Sequence, residues 1–520
     1  MSHSVVLLVL VPLISAFLAS LLPEGPRSSV RITVALSAVA HLILVIRLTL
    51  QTAAVGSITY EVGGWSAPLG IVLSADLLSS FFLIILAAGH ILFLIHAFSE
   101  ERKSRRAVWI LTELLIAAFS GILVAGDLFN LFVFLELASV SSVGLMTYKQ
   151  RAEGAGAGFV YLIFTSLSGV LFLLAVIIIY RHVGALSLGI IAARGAATPP
   201  RSYRTAAALL TASLGMKFGL VPFHFWQAPA YDAAGSSVAA LLSGTGMKVY
   251  LYVLFRLLAQ VFRAHETPAA LALLLVALGS VNILIGHALA LGERDLKRLL
   301  AYSSVAHVGY ILIALAGVLA APSAEVGLIA ASGALLHVLF HFLMKSTLFY
   351  SGRTLIDRRG SSTIGALRGV GRREVLGFVA FVTAAISLVG IPPMSGFYSK
   401  WRIALGSIRI FGVPPVVVIA AGTVISMLYY ARVFHVGMGE TAGALRGRSG
   451  EAAGAGGPEG MPAGAVNDRS GATVQTRTMV LLLAAACLIL GLFGPLVESR
   501  LEEVSQLLAD PNRYELLLLR

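Results

Sequence analysis

Residues 219–226 read GLVPFHFW and residues 390–397 read GIPPMSGF, each a Gly/Pro interruption inside an apolar run long enough to cross a bilayer. Proline removes a helix hydrogen bond and clashes with the preceding turn. Within hydrocarbon such a break survives only where protein or a polar cavity satisfies the freed backbone groups. Gly219 with Pro222, and Gly390 with Pro393 beside Pro392, are offset by 171 residues, and the same offset carries Glu136 onto His307. The breaks fall in the seventh and twelfth expected spans; an odd separation reverses direction, so the two halves are inverted. Inverted repeats with discontinuous helices place ion or substrate sites near the bilayer midplane. The plainer alternative is a pair of proline kinks used for packing.

Composition agrees with a membrane protein: of 520 residues, 58% are hydrophobic and 12% charged. Apolar blocks of roughly 18 to 27 residues match the span needed to cross about 30 Å of hydrocarbon. The net charge of +13 resides mainly in loops, where Lys and Arg orient spans, so it gives no reason to invoke nucleic acid. The lone Cys487 excludes a disulfide or a cysteine-ligated cluster built from this chain alone. The N-terminal MSHSVVLLVLVPLISAFLASLL has no basic residue ahead of its apolar run and reads as a retained span.

The fold class is therefore all-α: a polytopic membrane protein of about fourteen helices with two inverted five-helix repeats containing broken helices. Residues 1–106 hold three spans with an external hairpin-like loop at Ser57 to Asp76. Residues 107–266 form the first repeat, 267–438 the second, and 439–520 a Gly/Ala-rich loop, a last span and an amphipathic tail from Glu498 that is expected to lie at the membrane interface. The twelfth span is expected at 374–399. Basic loops at Arg102 to Arg106, Glu293 to Arg298 and Arg353 to Arg373 fall on one side. With those cytoplasmic, the chain is a multi-pass protein of the cell (inner) membrane with both termini outward. Arg181, Arg194, Arg201 and Arg204 fall on the other side and suit an interfacial helix.

The spans carry ionisable side chains where hydrocarbon disfavours them. In GDLFNLFVFLEL, residues 126–137, Asp127 suits a helix N-cap, while Glu136 lies about 13 Å deeper along the helix. A charge at that depth costs roughly 2.5 to 3.5 kcal/mol on the lenient insertion scale and needs a partner or a task. Lys217 is the natural partner. Lys248 lies deep in the eighth span with no acidic residue one helical turn away, and a buried lysine readily releases its proton. In LLHVLFHFLMKSTLF, residues 335–349, His337, His341 and Lys345 recur at i, i+4 and i+8 and share one face. Histidines pass protons between ring nitrogens near neutral pH. Two histidines could also hold a metal, but no third ligand is evident, so neither a metal nor a cofactor is expected. His307 adds a link and Lys400 ends the row. Glu113 either contacts the row or pairs with Arg105 or Arg106, while His90 and His287 have no ionisable partner one turn away. The GAGAG run at 154–158 lacks a preceding strand and suits helix packing.

VGGWSAPLGIVLSAD, GDLFNLFVFLEL, RDLKRLLAYSSVAHVGY, LLHVLFHFLMKSTLFYSG and GIPPMSGFYSKW resemble, in order, motifs of the D subunit of Mrp-type sodium/proton antiporters and of the antiporter-like subunits of respiratory complex I and membrane-bound hydrogenases. The likeness spans roughly residues 55 to 435, with the first two segments most similar to the Mrp D subunit. It implies a fourteen-helix subunit with Glu136 and Lys217 as a coupling pair, Lys248 as central proton carrier, His337 and His341 as relay, and Lys400 as distal carrier. His307 departs from the family, which more often has a neutral amide there. AYDAAGSS, residues 230–237, departs too, lacking the proline-rich form of that loop.

The expected function is a proton-translocating subunit of a multi-subunit membrane complex, most like the Mrp-type antiporter D subunit, with other integral membrane subunits as partners and protons, or sodium, as cargo. The alternatives are a pump subunit of a complex I-like oxidoreductase or hydrogenase, a stand-alone proton-coupled solute transporter, and a structural scaffold. A symporter should gather substrate-selective polar groups at the two breaks; here the polar residues form a line across spans. No flavin, nicotinamide or iron–sulfur motif is present, so any redox chemistry belongs to partner subunits.

Overall fold

A computed structural model describes residues 3–23, 29–100, 106–148, 152–194, 200–262, 269–440 and 473–510. Its N-terminal part comprises α1 (Ser4–Leu21), α2 (Ser29–Val55), the strands β1 (Ser57–Glu61) and β2 (Val72–Asp76), and α3 (Leu77–Glu100). There follow α4 (Arg106–Val124), α5 (Leu128–Thr147), α6 (Ala152–Val183), α7 (Leu188–Arg194), α8 (Pro200–Phe218), α9 (Gln227–Ala233), α10 (Ser236–Ala240) and α11 (Met247–Phe255). Next come α12 (Ala269–Gly292), α13 (Leu296–Ala320), α14 (Ala324–Arg359), α15 (Val375–Val389), α16 (Ser395–Phe411) and α17 (Val413–Met438). The last described elements are α18 (Val474–Leu492), α19 (Gly494–Arg500) and α20 (Glu502–Ala509).

Among the described residues 13 helical stretches are long and apolar enough to cross a membrane, and Val375–Val389 is a shorter apolar helix. The chain is an all-α, multi-pass membrane protein. The expected hairpin is present: β1 and β2 pair antiparallel from Ser57 opposite Asp76 to Glu61 opposite Val72.

Both breaks lie where the Gly/Pro pattern puts them. Gly219 and Gly390 have φ of +80° and +89°, the left-handed region that glycine alone enters freely, and each ends a helix. The structure corrects the extent of the twelfth span. It does not stop at residue 399; after the break it restarts as α16 and runs to Phe411, where Gly412 turns it directly into α17. Polar residues from Ser395 to Arg409 hid the second half-helix, because its buried face contains Ser399, Lys400, Gly406 and Ser407 beside Ile403.

Small residues set the closest contacts. A Cβ on Gly279 would lie 2.7 Å from Gly309 O, and one on Gly286 would lie 2.5 Å from Ala306 N, so α12 and α13 pack backbone to backbone. The GAGAG run lies in α6, where a Cβ on Gly158 would meet Thr147 Cγ2 at 2.3 Å, in keeping with helix packing.

Three expectations are revised. Arg194 ends the short α7, but Arg181 sits in the last turn of α6, and Arg201 and Arg204 lie in the first turns of α8, so no single interfacial helix carries all four. The tail helix α20 turns Val504, Leu507 and Leu508 inward, and Gln260 donates to Leu507 O at 3.0 Å, so its apolar face packs on protein. Glu113 does not pair with Arg106: its neighbours among the described residues are His90 and Ser37, and Arg105 lies outside the described residues. Most of the Gly/Ala-rich loop and the loop carrying Arg102 to Arg105 lie outside the described residues.

Candidate proton-carrying row

Asp127 caps α5 by accepting from Asn130 N at 2.7 Å, which fixes the helix that carries Glu136. Glu136 lies 3.2 Å from Lys217 Nζ, and Lys217 also donates to Ser139 Oγ at 2.7 Å. The pair is asymmetric. The Lys217 side chain is fully buried, whereas that of Glu136 is 32% exposed on the outer face of α5, where a lipid or another protein must cover it. Room for the carboxylate comes from Gly169 on α6, whose Cβ would lie 2.9 Å from Glu136 Oε1. Sequence reading passed over that glycine because only the tertiary contact gives it meaning.

The seventh-span break is closed by neighbours. Trp226 Nε1 donates to the carbonyl of Met216 at 2.9 Å, and Val221 N donates to Asn282 Oδ1 on α12 at 2.8 Å. Asn282 Nδ2 in turn donates to Val305 O on α13 at 3.1 Å, tying the break to the helix that carries His307.

Lys248 follows a π-helical turn, Leu241–Gly246, and is completely buried. The Ser243 carbonyl within that turn accepts from Lys248 Nζ at 2.7 Å. The second contact of Nζ is His341 Nδ1, also at 2.7 Å. Two bases therefore share one short contact, and among the described residues no carboxylate pairs with Lys248.

From His341 the row continues by ring contact: the His341 and His307 rings lie 5.0 Å apart at an interplanar angle of 17°. His307 Nδ1 is 3.0 Å from His337 Nε2, and His337 Nδ1 is 2.9 Å from Ser399 Oγ on the second half of the broken span. Next to Ser399, Lys400 Nζ donates to Val389 O at 2.9 Å, a carbonyl freed where α15 ends, and lies 4.6 Å above the Tyr310 ring. Lys345 donates to Leu300 O at 2.8 Å and to Ser303 Oγ, one helical turn from the His341 end of the row. The residues expected from the sequence thus fall into two groups. Glu136 and Lys217 form one; Lys248, His341, His307, His337 and Lys400 form the other, with Lys345 beside it. Among the described residues no direct hydrogen bond joins Lys217 to Lys248.

Sequence reading missed His287. It has no partner on its own helix, but the close α12–α13 packing sets its Nε2 3.2 Å from Tyr310 OH and its Nδ1 3.2 Å from Tyr429 OH, with its ring 5.9 Å from that of His307. The His307 and His337 rings are nearly parallel, at 3°, with centroids 5.2 Å apart, so the Nδ1–Nε2 contact joins them edge to edge. Among the described residues no three His, Cys, Asp or Glu side chains are placed to hold a metal ion.

The sequence pattern of the family described as NADH:quinone oxidoreductase/Mrp antiporter, TM, matches residues 125–428. The chain belongs to that family. Within the NADH:quinone oxidoreductase/Mrp antiporter family, it is 31% identical to the N subunit of the NADH-quinone oxidoreductase of Desulforudis audaxviator, over 95% of this chain and 96% of that protein. It is 30% identical to the D subunit of the Na(+)/H(+) antiporter of Bacillus subtilis, over 78% of this chain and 81% of the relative. Its fold is similar to that of a chain in the Mrp complex from Dietzia sp. DQ12-45-1b, with a TM-score of 0.85 and 25% identity over the whole of both chains. The matched segment contains every residue of both groups, from Glu136 to Lys400.

Proposed function

We propose that the chain is a proton-translocating subunit of a multi-subunit membrane complex, with Glu136 and Lys217 as the coupling pair and Lys248, His341, His307, His337 and Lys400 as the row along which protons move. Lys345 tunes the row as a neighbouring charge. The observation that carries this reading is the 2.7 Å contact between the fully buried Lys248 Nζ and His341 Nδ1. With no carboxylate to fix the charge, one proton lies between two bases, and a third ring stacks on the second. A static device would instead pair each buried cation with an anion.

Residues 107–266 and 267–438 act as two inverted units, each with a broken helix at its functional end, and both chain termini face outward. Support comes from the shared 171-residue register and from the basic residues between Arg353 and Arg373. The partners are other integral membrane subunits, as the similarity to an Mrp complex chain suggests, and the one-third-exposed Glu136 faces one of them. The parent complex is either a cation/proton antiporter or a redox-driven pump. The 95% coverage with the N subunit of an NADH-quinone oxidoreductase favours giving the second equal standing. Sodium dependence of transport in vesicles separates the two.

The test exploits arginine, which keeps its proton at any working pH. Lys248→Arg should assemble normally yet lose most proton movement in sealed vesicles, as badly as Lys248→Ala. Near-normal transport by Lys248→Arg together with failure of Lys248→Ala would make the residue a fixed charge and remove the relay.

A further inference from the structure

A second set of buried titratable side chains stands apart from the row, in α2, α3 and α4, outside the family-matched residues 125–428. Glu113, His90 and His41 are all completely buried. Glu113 Oε2 accepts from Ser37 Oγ at 2.7 Å, and Oε1 lies 3.2 Å from His90 Nε2 without the alignment of a hydrogen bond. The His90 ring is 6.3 Å from that of His41, whose Nε2 is 3.0 Å from Ser120 Oγ. Several polar atoms of this cluster make no hydrogen bond: Glu113 Oε1, both ring nitrogens of His90 and His41 Nδ1.

A lone carboxylate is costly in such a set. One hydroxyl donor does not offset the cost of burying an anion in a membrane, and among the described residues no lysine or arginine pairs with Glu113. Neutrality requires a proton on Glu113 or on His90, so the cluster binds one proton and offers a second acceptor, His41, one ring further in. The three residues are also graded in depth. Arg106 donates to Ser20 O, which sets the starts of α2 and α4 and the end of α3 on one side. At 1.5 Å per residue, Glu113 lies about 10 Å from that side, His90 about 15 Å and His41 about 18 Å.

The helix that carries His90 also lies against the turn before Lys248. Gly89 precedes His90, and a Cβ there would lie 2.0 Å from Thr245 Oγ1, so α3 abuts the π-helical turn that holds Lys248. Thr245 Oγ1 is itself buried and unpartnered, two residues beyond the Ser243 carbonyl that accepts from Lys248 Nζ. We propose that Glu113, His90 and His41 form a second proton-binding site, a side branch that loads Lys248 past Thr245 from the Arg106 side of the membrane. The branch rests on the reading of Lys248 as a proton carrier. A proton enters on Glu113, passes to His90 as the carboxylate reforms, and leaves through the Thr245 hydroxyl as another takes its place.

The competing role is a structural tie among three helices, and an apolar replacement separates the two, since a purely structural polar pair tolerates substitution by packed hydrophobic residues. In the complete complex in sealed vesicles, Glu113→Gln and Thr245→Val should each slow proton transport about tenfold, equivalent to about 1.4 kcal/mol on a barrier. The His90→Leu/Glu113→Leu double variant should assemble and remain as slow. Infrared difference spectra under an imposed proton gradient should show a carboxyl signal that Glu113→Gln removes. Wild-type transport in the double variant, or no Glu113-dependent signal, overturns the site. Lys248→Ala is measured alongside: if it leaves transport intact while the Glu113 signal persists, the cluster binds protons but the delivery to Lys248 is wrong.

Discussion

Two lysines buried in the same bundle are handled in opposite ways. Lys217 faces a carboxylate at 3.2 Å and a serine hydroxyl at 2.7 Å; Lys248 faces a backbone carbonyl and an imidazole, both at 2.7 Å. In the first arrangement a carboxylate stands opposite the ammonium, and that anion sits partly exposed on the outer face of α5, within reach of whatever covers that face. The second leaves the proton between two bases in a closed interior, where small changes nearby decide which holds it. Under the proposed function the difference is a division of labour: the peripheral pair would respond to a neighbour, and the interior pair would pass the proton on.

If that division is right, the largest loss should come from the peripheral pair. Lys217→Ala and Glu136→Gln should each lower proton transport about a hundredfold, or about 2.7 kcal/mol on the limiting barrier, with assembly intact. The double variant should be little worse than either single one, because residues that act as a unit are non-additive. Measured rates in vesicles that multiply independently would show that the two do not work together.

A smaller effect is expected in the interior. His341→Ala removes the acceptor beside Lys248, yet the lysine keeps the Ser243 carbonyl and the cavity left behind is polar-walled, so a loss of roughly tenfold to thirtyfold is expected. The neighbouring variant His337→Ala sharpens the chemistry. Metal analysis of the purified complex should find no stoichiometric zinc or iron lost on His337→Ala, and a metal that does disappear would replace the proton row with a ligand set.

Smaller again is the effect of Gly169→Ala. The added Cβ would come within 2.9 Å of Glu136 Oε1, and the partly exposed carboxylate can swing outward to relieve it. Lengthening the contact with Lys217 should slow transport about threefold to fivefold, under about 1 kcal/mol. An unchanged rate would mean that the distance within the pair is not critical.

These contrasts also mark how far the sequence carries. Spans, both breaks, the hairpin and the ionisable residues at mid-depth were legible because each is a local signal: hydropathy, a Gly/Pro interruption, alternation, or a charge where hydrocarbon should be. The pairing of Glu136 with Lys217 followed from charge and depth alone. What escaped was set by contacts between helices. His287 gains its tyrosine partners, and Glu113 gains His90, only because particular helices lie side by side. The second half of the twelfth span escaped for a related reason. Its buried face carries a lysine, serines and a glycine, so its hydropathy reads as the end of a span although it continues as a half-helix. The π-helical turn before Lys248 left no local signal that we recognise.

The smallest effect belongs to the other carboxylate of α5. Asp127 and Glu136 stand nine residues apart on one short segment, yet Asp127 accepts from the backbone of Asn130 at 2.7 Å and from its side-chain amide at 3.1 Å, as an N-cap does. Its task is complete within its own helix turn. Asp127→Ala should therefore cost about 1 kcal/mol of stability, the usual loss for a removed cap. Proton transport per assembled complex should stay near wild type, and Asp127→Asn, which keeps an acceptor oxygen, should recover most of the stability. The measurement is thermal denaturation of the purified complex paired with vesicle transport normalised to assembled protein. A large transport defect in Asp127→Asn at normal stability would show that the charge at the helix start is used as well, and that the polar row extends beyond Glu136 toward that end of α5.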